Sequence, residues 1–409
     1  MKQDLDALME KHNLDGLLVI GAATHNPMMH YFTGDVHMGD GALIKPRGAA
    51  PTLFYNPMER DEAARTGQHT RNLIDYNLPA LTKEHGGDAV KAQAARYAKM
   101  LADSGLEKGR VALFGKVEFG APFAIFNALA ALAPQYELVG QAGRTLLAEA
   151  METKDEAEAE RLRRMGRITA EVVGRVKAYL QSHKAKGGVL RKKDGAPVTV
   201  GDVKTLINAS ALELGVENPH GTIFAIGRDA GVPHSTGNPD DALELGKTIV
   251  FDIFLQEPGG GYHSDFTRTW CLGYAPPDAQ KLYDEVRHVF DDLMGGLEAN
   301  APFNLLQERT CDLFEAQGHA TIRQDPAVQE GYVHSVGHGL GLNIHEQPFS
   351  RDASVTLRPG VVVTIEPGLY YPSKGMGVRI EDTVYVRPNG DMEVLADFPH
   401  DLVIPIEEA

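Results

Sequence analysis

Two cysteines, Cys271 and Cys311, are all the thiols in a chain of 409 residues. That excludes a disulfide framework or a cysteine-rich zinc knuckle, and two buried thiols in a reducing compartment are expected. Long apolar runs are also missing, since none approaches the roughly 20 residues needed to span a bilayer. The opening MKQDLDALMEKHNL is charged and amphipathic, without the apolar centre of a secretory signal. Basic residues are in deficit, 40 Lys and Arg against 56 Asp and Glu, for a formal charge of -16. This balance argues against a general nucleic-acid or anionic-membrane binder, either of which needs a basic face. The one basic run, KAKGGVLRKKDG at 184–195, reads as a solvated connection. With 43% hydrophobic residues and a single Trp, what remains is a soluble, cytoplasmic globular protein too long for one ordinary core.

Two domains are expected, over 1–152 and 153–409. In the first, DGLLVIG, ALIKP, PTLFYN, VALFG and YELVG read as strands, with AVKAQAARYAKMLADSG and FAIFNALAALA as helices. Such alternation predicts an α/β layer domain, and no Gly-rich phosphate loop follows any of its strands. Thr153 and Glu156 have the spacing of a capping box at the start of a long helix, EAEAERLRRMGRITAEVVGRVKAYLQ. A second helix is expected over about 200–214, and two more at about 276–299 and 303–317. Strands fill the rest, including a hairpin, GVRIEDTVYVRPNGDMEVL, with a type I′ turn expected at Asn389-Gly390. The order of helix pairs and strands hints at a duplicated αββ unit.

The chemistry concentrates around HSVGHGLGLNIHE, residues 334–346, which carries His334, His338 and His345 among three glycines. Each glycine disfavours a helix by about 1 kcal/mol, so the segment reads as close-packed strand or loop. Upstream lie Asp252 in FDIF and Asp265 in HSDFTRTW, on two strands joined by a Pro/Gly turn. An antiparallel hairpin would bring both carboxylates to a common face. Downstream, Glu366 ends the β-branched run VVVTIEPG, where Pro367 stops the ladder. Glu381 shares a strand face with Arg379, which is placed to hold a carboxylate or substrate, whereas Ile380 and Asp382 point the other way. Four carboxylates offset the charge of two divalent cations, and a bridging hydroxide keeps the cluster near neutral. This oxygen-rich donor set favours Mn(II), Co(II), Fe(II) or Zn(II) over thiolate-loving ions.

Taken together, PHSTGNP, FDIF, YHSDFTRTW, HSVGHGLGLNIHE, IEPG and RIEDT resemble the pita-bread metallopeptidases: methionine aminopeptidase, aminopeptidase P and prolidase, the Xaa-Pro dipeptidase. The resemblance covers about residues 155–400, and the N-terminal half looks like the creatinase-type domain of the latter two. It implies an α+β pita-bread catalytic domain preceded by a creatinase-like α/β domain. It also implies two divalent metal ions per chain, manganese foremost, bound by Asp252, Asp265, His338, Glu366 and Glu381. Glu366 would double as general base and acid. His234 and His345 would contact the scissile carbonyl and its developing oxyanion, and His334 would line the site beside a proline ring. The substrate implied is a small peptide with proline in second position, and the assembly a homodimer. One departure stands out: twelve residues separate the two aspartates where the family usually has ten. An insertion of two preserves strand parity and reads as an extension of the Pro258–Gly261 turn.

Hydrolysis of Xaa-Pro dipeptides is the reading favoured over an aminopeptidase P acting on longer peptides. The difference lies in whether a cationic wall captures the substrate C-terminus, with Arg379, His334 or an arginine from the neighbouring subunit's N-terminal domain as equal candidates. A metal-free amidinohydrolase or a non-catalytic peptide-binding relative would lack ligand carboxylates, and this chain keeps all five ligands.

Overall fold

The computed structural model describes residues 4–409. Two compact units divide the chain: residues up to 151 with the turn Pro258–Gly261, and Glu152–Glu257 with Tyr262–Ala409. Among the described residues no helix is long and apolar enough to cross a membrane.

The first unit is built on a six-stranded sheet, in the order His69–Asn72, Thr52–Tyr55, Gly41–Pro46, Gly16–Ile20, Gly109–Gly115, Tyr136–Val139. Gly16–Ile20 is buried throughout, as its unbroken LLVI run requires of a central strand. It runs antiparallel to Gly41–Pro46 and parallel to Gly109–Gly115. The helix Ala89–Asp103 is capped by Asp88, whose side chain accepts from Lys91 N.

The second unit repeats one arrangement, a helix pair laid on a sheet. In the first repeat the helices Glu156–Gln181 and Val200–Glu213 share a core with the sheet Val403–Ile404, Phe266–Leu272, Thr248–Ile253, Thr222–Ile226. Val172, Val176, Phe224, Phe251 and Trp270 fill it. In the second, Pro277–Gly295 and Asn304–Ala316 pack on the sheet Glu346–Phe349, His338–Gly339, Val362–Ile365, Asp382–Val386, Met392–Val394. A short pair, Gly368–Tyr371 with Met376–Arg379, completes it. Cys271 and Cys311 are free and buried.

Three local expectations need correction. The long helix is capped by Asp155 and Glu158, not by Thr153 and Glu156. Thr153 is held in an antiparallel bridge to Val361, and Lys154 N donates to Gly360 O, so the chain is still extended there. The turn at Asn389-Gly390 is not type I′. Only Gly390 has positive φ, and it donates to Arg387 O across Pro388, whose ring fixes a negative φ. The basic run 184–195 is no loop: Lys184–Lys186 and Val189–Arg191 form a hairpin through Gly187 and Gly188, with φ of 62° and 75°. Ala185 and Leu190 are buried while the lysines stay out, so alternation hides beneath the charge.

Two glycines of the long helix separate propensity from packing. A Cβ at Gly166 would lie 2.0 Å from Leu395 O, whereas one at Gly174 would meet only Phe398 at 3.8 Å. Alanine gains about 1 kcal/mol of propensity at either position, but such overpacking costs about 1–3 kcal/mol. In urea titrations followed by circular dichroism, Gly174→Ala is expected to stabilise the protein and Gly166→Ala to destabilise it. Shifts of the same sign would refute the packing argument.

Candidate metal centre

Antiparallel pairing sets the first two carboxylates. Asp252 lies opposite Thr267, and Asp265 immediately precedes that strand, so the three side chains share one face of the hairpin. Glu366 follows the strand Val362–Ile365 and Glu381 precedes Asp382–Val386, a neighbouring pair. Glu381 bridges to Thr267, whose hydroxyl donates to Glu381 Oε2 at 2.7 Å. His338 sits on a two-residue strand with a register shift, between Glu346–Phe349 and Val362–Ile365. This packing needs glycine: a Cβ at Gly337 would be 2.0 Å from Thr364 O, and one at Gly339 2.2 Å from Gln347 O.

The result is a convergence of donors. Asp265, His338 and Glu381 each offer an atom within 4.8 Å of the others, and all three are buried. His338 Nε2 stands 3.6 Å from both Asp265 Oδ2 and Glu366 Oε1. Asp252 is outside this trio and is held by Arg379, whose Nη2 donates to Oδ2 at 2.6 Å. Its Oδ1 is buried without a hydrogen-bond partner. Arg379 also donates to Tyr370 Oη at 2.8 Å and to Thr267 Oγ1 at 3.3 Å. Tyr370 and Thr267 carry no separate signal in the sequence. Thr267, however, lies two residues beyond Asp265 and so on the same strand face.

Hydrogen bonding fixes the imidazoles. Nδ1 of His338 faces Gly339 O at 3.1 Å, which makes Nδ1 the donor and leaves the Nε2 lone pair for the carboxylate side. Nδ1 of His334 faces Ser335 O at 2.7 Å, and Nε2 meets Tyr370 Oη at 2.8 Å. Because Tyr370 accepts from Arg379, its own proton goes to His334, and both nitrogens of that ring are committed. His234 and His345 have no hydrogen-bond partner among the described residues, and His345 meets His338 edge-on at 4.2 Å between centroids. All nine of the residues singled out in the sequence line one cavity of about 510 Å³. Ile223, Phe254, Ile344 and Phe349 add apolar wall, and His220 a further imidazole.

Without a cation this arrangement repels itself. Burial, then the charges of Glu381, Asp252 and Glu366, pushes the Asp265 carboxyl well above the usual range. Glu381 moves the same way through burial, Glu366 and Asp252, against the Thr267 hydrogen bond. Burial carries Glu366 to about 8, with Arg379 opposing and Asp252 adding. Burial, followed by His345, lowers His338 to about 3, which keeps its ring neutral. Oxygen donors beside a neutral Nε2, and an orphaned carboxylate oxygen on Asp252, are what a hard or borderline divalent cation requires. The residues fit such an ion.

Raised folded-state values favour the protonated carboxyls, so the contribution of these three groups to metal-free stability is full below the ordinary carboxylate range and is lost as pH rises toward 8. The gain in melting temperature on adding Mn(II) to chelator-treated protein is therefore expected to grow between about pH 5.5 and 8.5. A gain independent of pH would contradict this electrostatic account.

Comparison with known proteins agrees with this geometry. Residues 160–388 match metallopeptidase family M24, and residues 2–152 match the creatinase/prolidase N-terminal domain. The putative dipeptidase YkvY of Bacillus subtilis is 37% identical over 186 residues, 45% of this chain and 47% of that protein. An Xaa-Pro dipeptidase of Pyrococcus furiosus is 36% identical over 178 residues, 43% of this chain and 47% of its own. The matches thus span about half the length of these curated relatives. An Xaa-Pro dipeptidase structure from Bacillus anthracis superposes with a TM-score of 0.75 at 20% identity, covering 98% of each chain. The fold is accordingly the pita-bread architecture with a creatinase-type N-terminal domain, and the chain belongs to metallopeptidase family M24.

Proposed function

We propose that this protein hydrolyses the peptide bond preceding proline, with Xaa-Pro dipeptides as substrates and two divalent metal ions as cofactors. The observation that carries this reading is the buried Asp265–His338–Glu381 cluster, with Glu366 3.6 Å from the same imidazole nitrogen. Asp252, Asp265, His338, Glu366 and Glu381 are the proposed ligands. Ions held there would acidify a water molecule and polarise the scissile carbonyl.

The remaining roles fall to side chains of this chain. Glu366 is the proposed general base, taking a proton from the attacking water and returning it to the departing proline nitrogen. His234 and His345 are the proposed donors to the oxygen that gains charge, a role supported by their uncommitted nitrogens. His334 offers only its ring face, which suits the apolar proline ring. Arg379 orients Asp252 through the 2.6 Å contact. The relatives named as dipeptidases support the dipeptide over longer substrates. A homodimer is proposed on family resemblance alone.

With Mn(II)-loaded protein, kcat/KM for Ala-Pro is expected to exceed that for Ala-Pro-Ala by about tenfold or more. Preference for the tripeptide would move the assignment to an aminopeptidase. His345→Ala is expected to lower kcat by about 10²-fold, the scale of one lost oxyanion donor, with metal content unchanged by elemental analysis. Unchanged turnover would remove His345 from the reaction.

A further inference from the structure

A buried ion pair outside the cavity lining is bonded to the segment that carries His345. The side chains of Lys154 and Glu346 are 1% and 4% exposed, with Nζ 2.6 Å from Oε1. Stability is a poor explanation for such a pair, because desolvation offsets its attraction and apolar replacements are often neutral or stabilising. Position is a better one. Glu346 Oε2 accepts from Asn343 N at 3.2 Å, and Asn343 O accepts from Gly341 N at 3.1 Å. Gly341 O in turn accepts from His263 N at 2.8 Å.

The far end is anchored as firmly. Lys154 N donates to Gly360 O at 2.7 Å, and Thr153 bridges to Val361 at the edge of the strand leading to Glu366. A Cβ at Gly341 would lie 2.3 Å from Glu346 Oε1 and 2.9 Å from Lys154 Cε, so the pair occupies the room that this glycine leaves. Residues 341–345 contain no helix or strand to orient them. Glu346 begins the strand that pairs with His338–Gly339, and the ring just before it stands 4.2 Å from His338.

We propose that Lys154 and Glu346 are positioning residues: their ion pair fixes the 341–346 loop so that the His345 imidazole is presented to the cavity beside His338. The inference rests on the role given to His345 above. It assigns the pair to turnover rather than to folding or to metal affinity.

The test is a double-mutant cycle on the full chain loaded with Mn(II). Lys154→Met with Glu346→Leu replaces the pair by apolar side chains of similar size, and Glu346→Gln keeps an acceptor for Asn343 N. Both are made with and without His345→Ala. The apolar pair is expected to keep its metal and its melting temperature, yet to lose about tenfold or more in kcat at nearly constant KM. Glu346→Gln should lose less. On the His345→Ala background the same changes should alter kcat by less than about twofold, since the group they position is gone. Equal losses on both backgrounds, or none on either, would overturn the proposal.

A second readout does not need turnover or the apolar variant. The His345 imidazole signal, identified by its absence from His345→Ala, is expected to shift in the NMR spectrum of Glu346→Gln while that of His334 stays in place. An unmoved His345 signal overturns the proposal. Wild-type protein that cleaves no Xaa-Pro peptide would count instead against the functional reading, and the spectrum would still decide the positioning.

Discussion

The site rests on an electrostatic conflict. Four carboxylates converge on one cavity, and three of them carry folded-state values pushed upward by burial and by neighbouring carboxylates, Asp252 among them in every case. The protein meets part of that charge with Arg379, which is bonded to Asp252 and buried with it. Two charges taken out of water together need excellent geometry and further hydrogen bonds to hold. Arg379 has them, from Tyr370 Oη and Thr267 Oγ1. Among the described residues the side chains of Asp265, His338 and Glu381 have no such Lys or Arg partner at hydrogen-bond distance, since Arg268 reaches only the backbone carbonyl of Glu381. A divalent cation held there would resolve the conflict, and metal affinity and the stability of the loaded protein would then draw on one source.

Holding like charges together demands a rigid frame, and the sheets supply it. The four carboxylates sit within or at the ends of paired strands, where the ladder fixes the backbone and the side chains line the cavity. Close approach does the rest. Gly337 and Gly339 let the His338 strand press against the carbonyls of Thr364 and Gln347 at distances no side chain would permit. The glycines of this stretch therefore serve packing, with none of them at positive φ.

Much of this was legible in the sequence because it is local. Strand parity placed Asp252 and Asp265 on one face, and the β-branched run before Glu366-Pro367 located a carboxylate at a strand end. The two αββ layers left only a trace in the order of elements, since their helices and sheets share an arrangement rather than residues. Errors arose where a tertiary bond outweighed a local rule. Thr153 matches a capping box, yet its pairing with Val361 keeps it extended and passes the cap to Asp155. Asn389-Gly390 matches a hairpin turn, yet Pro388 dictates another. Tyr370 and the Lys154–Glu346 pair were invisible for a simpler reason. Their meaning lies in partners met only after folding, in the second case 192 positions away.

Hydrogen bonding also sorts histidines that sequence cannot tell apart. His338 gives one nitrogen to a backbone carbonyl and keeps the other for the carboxylate cluster, the usual state of an imidazole that ligates a metal. His334 spends both nitrogens, on Ser335 O and Tyr370 Oη, and so presents shape rather than a donor. Burial, with Arg379 nearby, keeps it neutral, lowering it to about 3. His234 and His345 spend neither, and each remains able to donate to a substrate oxygen. Under the proposed reading, one residue type thus fills three roles within a single cavity. Chemistry alone does not separate them, because each ring is the same base. What separates them is which lone pair the fold has already used.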